Sequence, residues 1–238
     1  MRRSISPMTL IFIAILAVGA IGSIVGNPMQ WLLNELLALP AIVIGISFHE
    51  YAHALVAYKL GDMTPKFQGR VTINPGAHID PFGFAALLFL GFGWGRSVGI
   101  NPYNFKNPRR DEFLVSIAGV TMNLIIAVIF TFVYRFYTLS TGNTMYTDGM
   151  GGYIAMIIFN IVYINIILMI FNLIPVPPLD GFGIVTEIFN LKTKPWYWTI
   201  YDNGFYILMF LIIFNVTDKV LYPAMMVMLS LLGNIGLF

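Results

Sequence analysis

The stretch that decides the fold is residues 38–58, ALPAIVIGISFHEYAHALVAY, a long apolar run that contains two histidines and a glutamate. A helix that spans the bilayer needs about 20 predominantly apolar residues, and this run is long enough. Ionisable side chains are costly inside a membrane and are usually retained there for function. The segment therefore predicts a membrane helix that carries a functional site.

The composition of the whole chain agrees with a membrane protein. Of its 238 residues, 58% are hydrophobic and 10% are charged, whereas soluble domains contain about 25% charged residues. The chain has no cysteine, so a bound zinc ion would need His, Asp or Glu ligands. The net charge of +2 is small and the basic residues are scattered along the chain, which excludes a nucleic-acid partner. We expect a single membrane-embedded domain over residues 1–238, surrounded by the lipid bilayer.

The other apolar stretches predict an all-α polytopic membrane protein with five to six transmembrane helices. A first helix at about 8–25 is expected to be retained, because the run is longer than the apolar region of a signal peptide and lacks a clear cleavage site. A connector at 26–34 and a second helix at about 36–60 follow. Further helices are predicted at about 113–136 and 153–174, and the C-terminal helical region at about 203–238 forms either one span plus an interfacial helix or two spans.

One apolar piece, at 82–94, is shorter than the about 20 residues that a span requires. We expect a re-entrant or interfacial segment near 82–95, in preference to a tilted span. Its glycine-rich stretch at 91–95 lacks the Lys-Ser/Thr pair of a phosphate-binding loop, so close backbone packing or a short extended edge is expected there.

Basic residues predict the orientation of the chain. Arg2 and Arg3 precede the first helix, and the connector at 26–34 contains no Lys or Arg. Cytoplasmic loops are enriched in these residues, so the N-terminus is expected to be cytoplasmic. Lys66 and Lys192 then fall on the same side, and the loop at 140–152 lies outside.

The chemistry is predicted by the pattern His49-Glu50-Tyr-Ala-His53. Residues four apart share one helical face, about 5 to 6 Å from each other, so both imidazoles can reach one metal ion. The adjacent Glu50 is placed to take a proton from a metal-bound water. The alternative is that the two histidines only form hydrogen bonds between helices.

A catalytic zinc ion normally has three protein ligands and one open position, and Asp180 is the best candidate for the third. It follows three prolines at 175, 177 and 178, which end the preceding helix. Irregular backbone at membrane depth is tolerated only inside protein or beside a cavity. Alternatively, Asp180 caps the next segment at 182–189.

Three motifs in this order resemble the site-2 protease family, in its compact bacterial and archaeal form without a PDZ domain. They are FHEYAH at 48–53, AGVTMN at 118–123 and NLIPVPPLDG at 172–181. The resemblance covers about 44–183 and predicts a peptidase core at about 36–183. One departure is Val120, where the family usually has proline.

The resemblance implies an intramembrane zinc metalloprotease that cleaves membrane protein substrates within or next to their transmembrane segments. It also implies a multi-pass protein of a prokaryotic cell membrane with the active site near the cytoplasmic side. One zinc ion would be bound by His49, His53 and Asp180. Glu50 would be the catalytic acid and base, and Asn172 would help to hold the substrate or the oxyanion.

A rival hypothesis is a non-proteolytic membrane metal-binding protein, either a metal transporter or a sensor scaffold. Transport predicts ionisable residues spaced along a pathway, whereas this chain has one cluster. His78 and Asp80 are expected in turn or surface contacts, with lining of the site or a second metal as alternatives. Asn123, on an apolar helix, forms either an interhelical hydrogen bond or a contact with substrate.

Overall fold

A computed structural model describes residues 26–90 and 93–233. The first helix expected at about 8–25 lies outside the described residues. Within them, the regular elements are helices, apart from one antiparallel bridge between Ile79 and Gly95. The predicted all-α polytopic membrane fold is confirmed.

The described residues form ten α-helices, numbered here in chain order. They are α1 (Pro28–Lys59), α2 (Thr64–Phe67), α3 (Pro75–His78), α4 (Pro81–Leu90), α5 (Pro108–Thr141), α6 (Met150–Asn172), α7 (Asp180–Phe189), α8 (Tyr197–Asp202), α9 (Gly204–Ile213) and α10 (Val216–Leu232). Two short 3-10 turns lie at Pro102–Asn104 and Leu191–Thr193.

Helices α1, α5 and α6 are the three described helices that are each long and apolar enough to cross a membrane. They pack against one another as the core of the molecule. Ala41 of α1 contacts the apolar cluster that contains Ile126 of α5 and Ile161 of α6. A second cluster joins α5 and α6 to Leu232 of α10. This bundle supports the residues of the candidate site.

Helix α1 begins earlier than predicted, so the connector expected at 26–34 is wrong for most of its length. The Asn27 side chain accepts a hydrogen bond of 3.1 Å from the backbone N–H of Gln30, and Pro28 occupies the first helical position. Asparagine at the N-cap followed by proline is a favoured way to begin a helix. Pro40 lies inside α1 and does not end it.

Helix α4 has 10 residues and is therefore about 15 Å long, half of the about 30 Å hydrocarbon core. The chain then folds back on it closely, because a Cβ at Gly93 would lie 2.2 Å from the carbonyl oxygen of Gly83. The predicted close packing of the glycine-rich stretch is confirmed at Gly93. A short helix with a tight return is the geometry expected of a re-entrant or interfacial segment.

The C-terminal region is a bent pair of helices. Helices α9 and α10 meet at 75°, and together they are apolar enough for one broken span or a re-entrant loop. Asn215, between them, has a left-handed backbone with φ of 53°. The described residues thus contain three or up to four spans; the predicted total of five to six includes the first helix, which is not described.

Candidate metal centre

Three side chains from distant parts of the chain converge at one point. In α1, His49 Nε2 and His53 Nε2 lie 3.0 Å apart. Asp180 Oδ2 lies 3.2 Å from each of these nitrogens. Both histidines are buried, with exposed fractions of 8% and 7%. The structure therefore brings together the three residues that the sequence predicted as metal ligands.

The outer nitrogen of each imidazole is held by a hydrogen bond. His49 Nδ1–H donates to Asn123 Oδ1 at 2.6 Å, and His53 Nδ1–H donates to the carbonyl oxygen of Val115 at 2.7 Å. A neutral imidazole that donates from Nδ1 has a lone pair on Nε2. Two lone pairs and a carboxylate oxygen thus face one another, an arrangement that a bound cation would stabilise.

The distances and the donor set fit a zinc ion. Zinc binds imidazole nitrogen and carboxylate oxygen at about 2.0 to 2.2 Å in a tetrahedron, which places ligand atoms about 3.4 Å apart. Asp180 Oδ2 is buried and has no hydrogen-bond partner, so a metal ion would satisfy it. Gly119 provides the space, since a Cβ there would lie 2.3 Å from His53 Nε2.

The position of Asp180 depends on the break after α6. That helix ends at Asn172 and the chain resumes as a helix at Asp180, the first residue of α7. Leu179 occupies the N-cap position, so the expected alternative, in which Asp180 caps the following segment, is wrong. Gly181 permits a close turn, because a Cβ there would lie 2.2 Å from the carbonyl oxygen of Leu173.

Glu50 lies beside the histidines and contacts a non-helical segment, residues 93–101. Its Oε2 accepts a hydrogen bond of 3.2 Å from the backbone N–H of Val98. A Cβ at Gly95 would lie 3.7 Å from Glu50 Oε1. The predicted general base is therefore next to both the candidate metal ligands and a stretch of exposed or half-buried residues.

Asn172 is half-buried at the end of α6. Its Nδ2 donates to the carbonyl oxygen of Leu168 at 2.9 Å, a bond within its own helix. Among the described contacts, it shares no hydrogen bond with Glu50 or the three candidate ligands. Its role toward substrate stays a prediction.

Asp80 makes the expected local contact, whereas His78 is buried and does not lie at the surface. Asp80 Oδ1 accepts hydrogen bonds from the backbone N–H groups of Phe82 and Gly83 at the start of α4. His78 is fully buried and its Nε2 lies 2.6 Å from the carbonyl oxygen of Thr72. In the described part of the chain, the one group suited to hold a metal contains neither residue.

Asn123 forms the predicted interhelical hydrogen bonds. Its Nδ2 donates to Asn165 Oδ1 of α6 at 2.8 Å and to the carbonyl oxygen of Gly45 of α1 at 3.2 Å. It is fully buried, so the alternative of a substrate contact has no support. Asn165 was not predicted, although an asparagine in an apolar helix is the signal that identified Asn123.

The geometry of the site and its place among membrane helices define a class of protein, the membrane-embedded metalloproteases. Residues 37–215 match peptidase family M50, the site-2 protease family, and the chain belongs to this family. This membership confirms the predicted activity class, and it favours the protease over the transporter or scaffold.

Several named zinc metalloproteases are similar to this chain. YwhC of Bacillus subtilis is 37% identical over 188 residues, which cover 76% of this chain and 82% of YwhC. Rip2 of Mycolicibacterium smegmatis is 26% identical over 207 residues, covering 82% and 75%. MJ0611 of Methanocaldococcus jannaschii is 26% identical over 188 residues, covering 78% and 84%. No solved structure gives a significant match.

Proposed function

We propose that this chain is a zinc endopeptidase of the site-2 type in which His49, His53 and Asp180 bind one catalytic zinc ion. The observation that carries the proposal is the convergence of two imidazole lone pairs and one carboxylate oxygen within 3.2 Å. The names of the relatives, all zinc metalloproteases, support zinc as the metal. Three protein ligands leave the fourth position open, as in other catalytic zinc sites.

Zinc, when bound, would lower the pKa of a water molecule and polarise the scissile carbonyl. Glu50 takes the proton from the attacking water and passes it to the leaving amine. The hydrogen bond from Val98 N–H to Glu50 Oε2 holds one carboxylate oxygen and leaves Oε1 for the proton. Asn172 steadies the developing oxyanion, because it stands at the end of α6 where the loop toward Asp180 begins.

The proposed substrate is a membrane protein with a transmembrane segment. A helical substrate hides its backbone amides in internal hydrogen bonds, so the scissile stretch must become extended before hydrolysis. The segment at 93–101 lies beside Glu50 and is the proposed place of pairing with an extended substrate chain. The substrate would therefore lie between this segment and the metal ligands.

We further propose that residues 1–238 form one peptidase domain in a prokaryotic cell membrane, with the N-terminus and the active site toward the cytoplasm. The relatives are bacterial and archaeal, which supports the assignment to a prokaryotic cell membrane. The basic residues Arg2, Arg3, Lys66 and Lys192 support the orientation.

The test uses the full chain, purified in detergent, with a model transmembrane substrate. Glu50→Gln is expected to retain one zinc ion per chain and to lose cleavage by about 100-fold or more. Glu35→Gln is the matched control, since it makes the same change in the same helix outside the site. Equal cleavage by Glu50→Gln and wild type would exclude the role of Glu50, and a wild type without zinc would exclude the whole proposal.

A further inference from the structure

We infer that Asn165 is a positioning residue of the metal centre, which acts through Asn123 to hold His49 in the tautomer that binds the metal. The inference rests on the proposed function, because it takes His49 as a metal ligand. It follows from the direction of three consecutive hydrogen bonds that cross α6, α5 and α1. The first bond orients the Asn165 amide, and the Asn123 amide is then oriented jointly by Asn165 and by the carbonyl oxygen of Gly45.

The chain of hydrogen bonds begins at a group that cannot exchange the roles of donor and acceptor. The carbonyl oxygen of Ile161 can only accept, and the side chain of Asn165 lies 2.8 Å from it. The atom of Asn165 facing that carbonyl must therefore be Nδ2, the donor. This choice turns the other end of the amide, Oδ1, toward α5.

The second amide takes its orientation from the first. Asn165 Oδ1 lies 2.8 Å from the Asn123 amide, whose facing atom must be the donor Nδ2. The same Nδ2 also donates to the carbonyl oxygen of Gly45, so both of its N–H groups have acceptors. Asn123 Oδ1 is consequently turned toward His49.

The orientation of Asn123 selects the tautomer of His49. An oxygen 2.6 Å from His49 Nδ1 requires a proton on that nitrogen, which leaves the Nε2 lone pair for the metal. If the Asn123 amide were reversed, its NH2 group would face Nδ1 and the proton would move to Nε2. That tautomer cannot bind a metal through the atom that faces Asp180.

Burial makes this chain of hydrogen bonds from Asn165 through Asn123 to His49, here called the relay, sensitive to the loss of any partner. Asn123 and Asn165 both have an exposed fraction of 0%, so water does not replace a lost partner. Helices α1 and α6 also approach closely at this level, because a Cβ at Gly45 would lie 2.6 Å from Leu168 Cδ1 and 3.5 Å from Asn165 Oδ1. Removing the oxygen of Asn165 would leave one N–H of Asn123 unpaired and the amide oriented by the Gly45 carbonyl alone, so the reversed amide would be less strongly disfavoured.

The first test measures zinc affinity of the full chain by competition with a chelator. Asn165→Leu is expected to bind zinc about tenfold more weakly than wild type, the range found for residues that orient a metal ligand. Asn160→Leu is the matched control. Its Nδ2 also donates from α6 to a carbonyl of α1, that of Leu37, but it lies outside the relay and should leave the affinity unchanged.

The second test separates positioning from general loss of stability. The chain has 3 histidines, so in nitrogen NMR of the metal-free protein the His49 signals can be assigned as those that disappear in His49→Gln. Wild type should show the Nδ1–H tautomer, and Asn165→Leu a mixture. In an Asn123→Leu background, Asn165→Leu should weaken zinc binding by no further factor, because residues that act through one another are not additive.

The outcomes distinguish this inference from the proposed function. A wild type that binds and uses zinc while Asn165→Leu binds it equally well overturns the relay and leaves the protease intact. An equal loss in Asn160→Leu also overturns it. A wild type without zinc overturns the proposed function itself. If Asn165→Leu does not fold, Asn165→Ala is measured in the same way, and unchanged affinity there overturns the relay.

Discussion

The backbone N–H of Val98 donates a hydrogen bond of 3.2 Å to Glu50 Oε2. The general base of the proposed reaction is thus held by the non-helical segment at 93–101 as well as by its own helix. This contact would bring the two proposed functions, proton transfer and substrate pairing, to one place. Movement of the segment would therefore change the position of the carboxylate.

Val98→Pro should lower cleavage about tenfold without loss of zinc, because proline has no N–H to donate to Glu50. The measurements are the cleavage rate of a model transmembrane substrate and the zinc content of the same preparation. Ser97→Pro is the control, since Ser97 is exposed and makes no described hydrogen bond to Glu50. An equal effect of both prolines would show that the segment, and not the Val98 N–H, is what matters.

Gly119→Ala should lose zinc. A Cβ at this position would lie 2.3 Å from His53 Nε2 and 2.5 Å from His49 Cε1, and the imidazoles cannot yield without breaking their outer hydrogen bonds. We expect zinc affinity to fall at least about tenfold, although alanine itself favours a helix by about 1 kcal/mol. Gly76→Ala is the control, because its nearest atom would be at 3.4 Å. Full zinc occupancy in Gly119→Ala would contradict this account of the site.

The convergence of the candidate metal ligands could be predicted from sequence because local rules govern their positions. The spacing of His49 and His53 places both on one helical face. The prolines before Asp180 predict a break in the helix, and irregular backbone at membrane depth indicates a buried site or a cavity. The start of α1 was missed, although Asn27 and Pro28 form a recognisable cap.

Long-range contacts could not be predicted in the same way. Asn165 is identifiable as a polar residue in an apolar helix, but its partner depends on how α5 and α6 pack. The same holds for Val98, whose N–H reaches Glu50 only because the chain folds back after α4. Such contacts depend on tertiary packing, which no local pattern encodes.

Because of Asp62, the free energy of unfolding should decrease at acid pH. It is fully buried, and although burial raises its pKa, hydrogen bonds from Thr64, Asn101 and Asn104 outweigh this and hold the pKa of the carboxyl below its ordinary value. A lowered pKa means that the stabilisation is present above the unfolded value of about 4 and is lost as the pH falls through the folded value.

Asp62→Asn is therefore expected to lower the free energy of unfolding by about 1 to 3 kcal/mol at neutral pH, with a difference from wild type that narrows below about pH 4. Denaturant unfolding in detergent at several pH values provides the measurement. Asp148→Asn, at an exposed position in the loop before α6, should have no such effect. A pH-independent difference would refute the ionic origin of the stabilisation.

Removal of the metal should abolish cleavage, and added zinc should restore it. Asp180→Ala should weaken zinc binding by more than about 100-fold, beyond the effect of losing an orienting partner, because it removes one of three ligands. Metal content after dialysis and chelator competition measure both effects. Asp202→Ala, an exposed residue of α8, should bind zinc as wild type does. If Asp180→Ala retains zinc, a different residue must supply the third ligand.

The orientation in the membrane can be tested with single cysteines, because the chain has none of its own. Lys66 follows the end of α1. Lys194 lies just beyond Lys192, whose ammonium contacts Glu112 near the start of α5. Lys66 and Lys194 therefore share one end of the bundle. Thr144 lies in the loop after α5. That helix has 34 residues, or about 51 Å, so its two ends lie on opposite sides of a core of about 30 Å.

An impermeant thiol reagent added to intact cells should label Thr144→Cys, whereas Lys66→Cys and Lys194→Cys should react only after the membrane is opened. This pattern follows from the excess of lysine and arginine expected in cytoplasmic loops. The reverse pattern would be consistent with the same helix bundle in the opposite orientation, with the proposed metal centre toward the outside. Labelling of all three positions from one side would contradict the crossing of the membrane by α5, because both ends of that helix would then be in the same compartment.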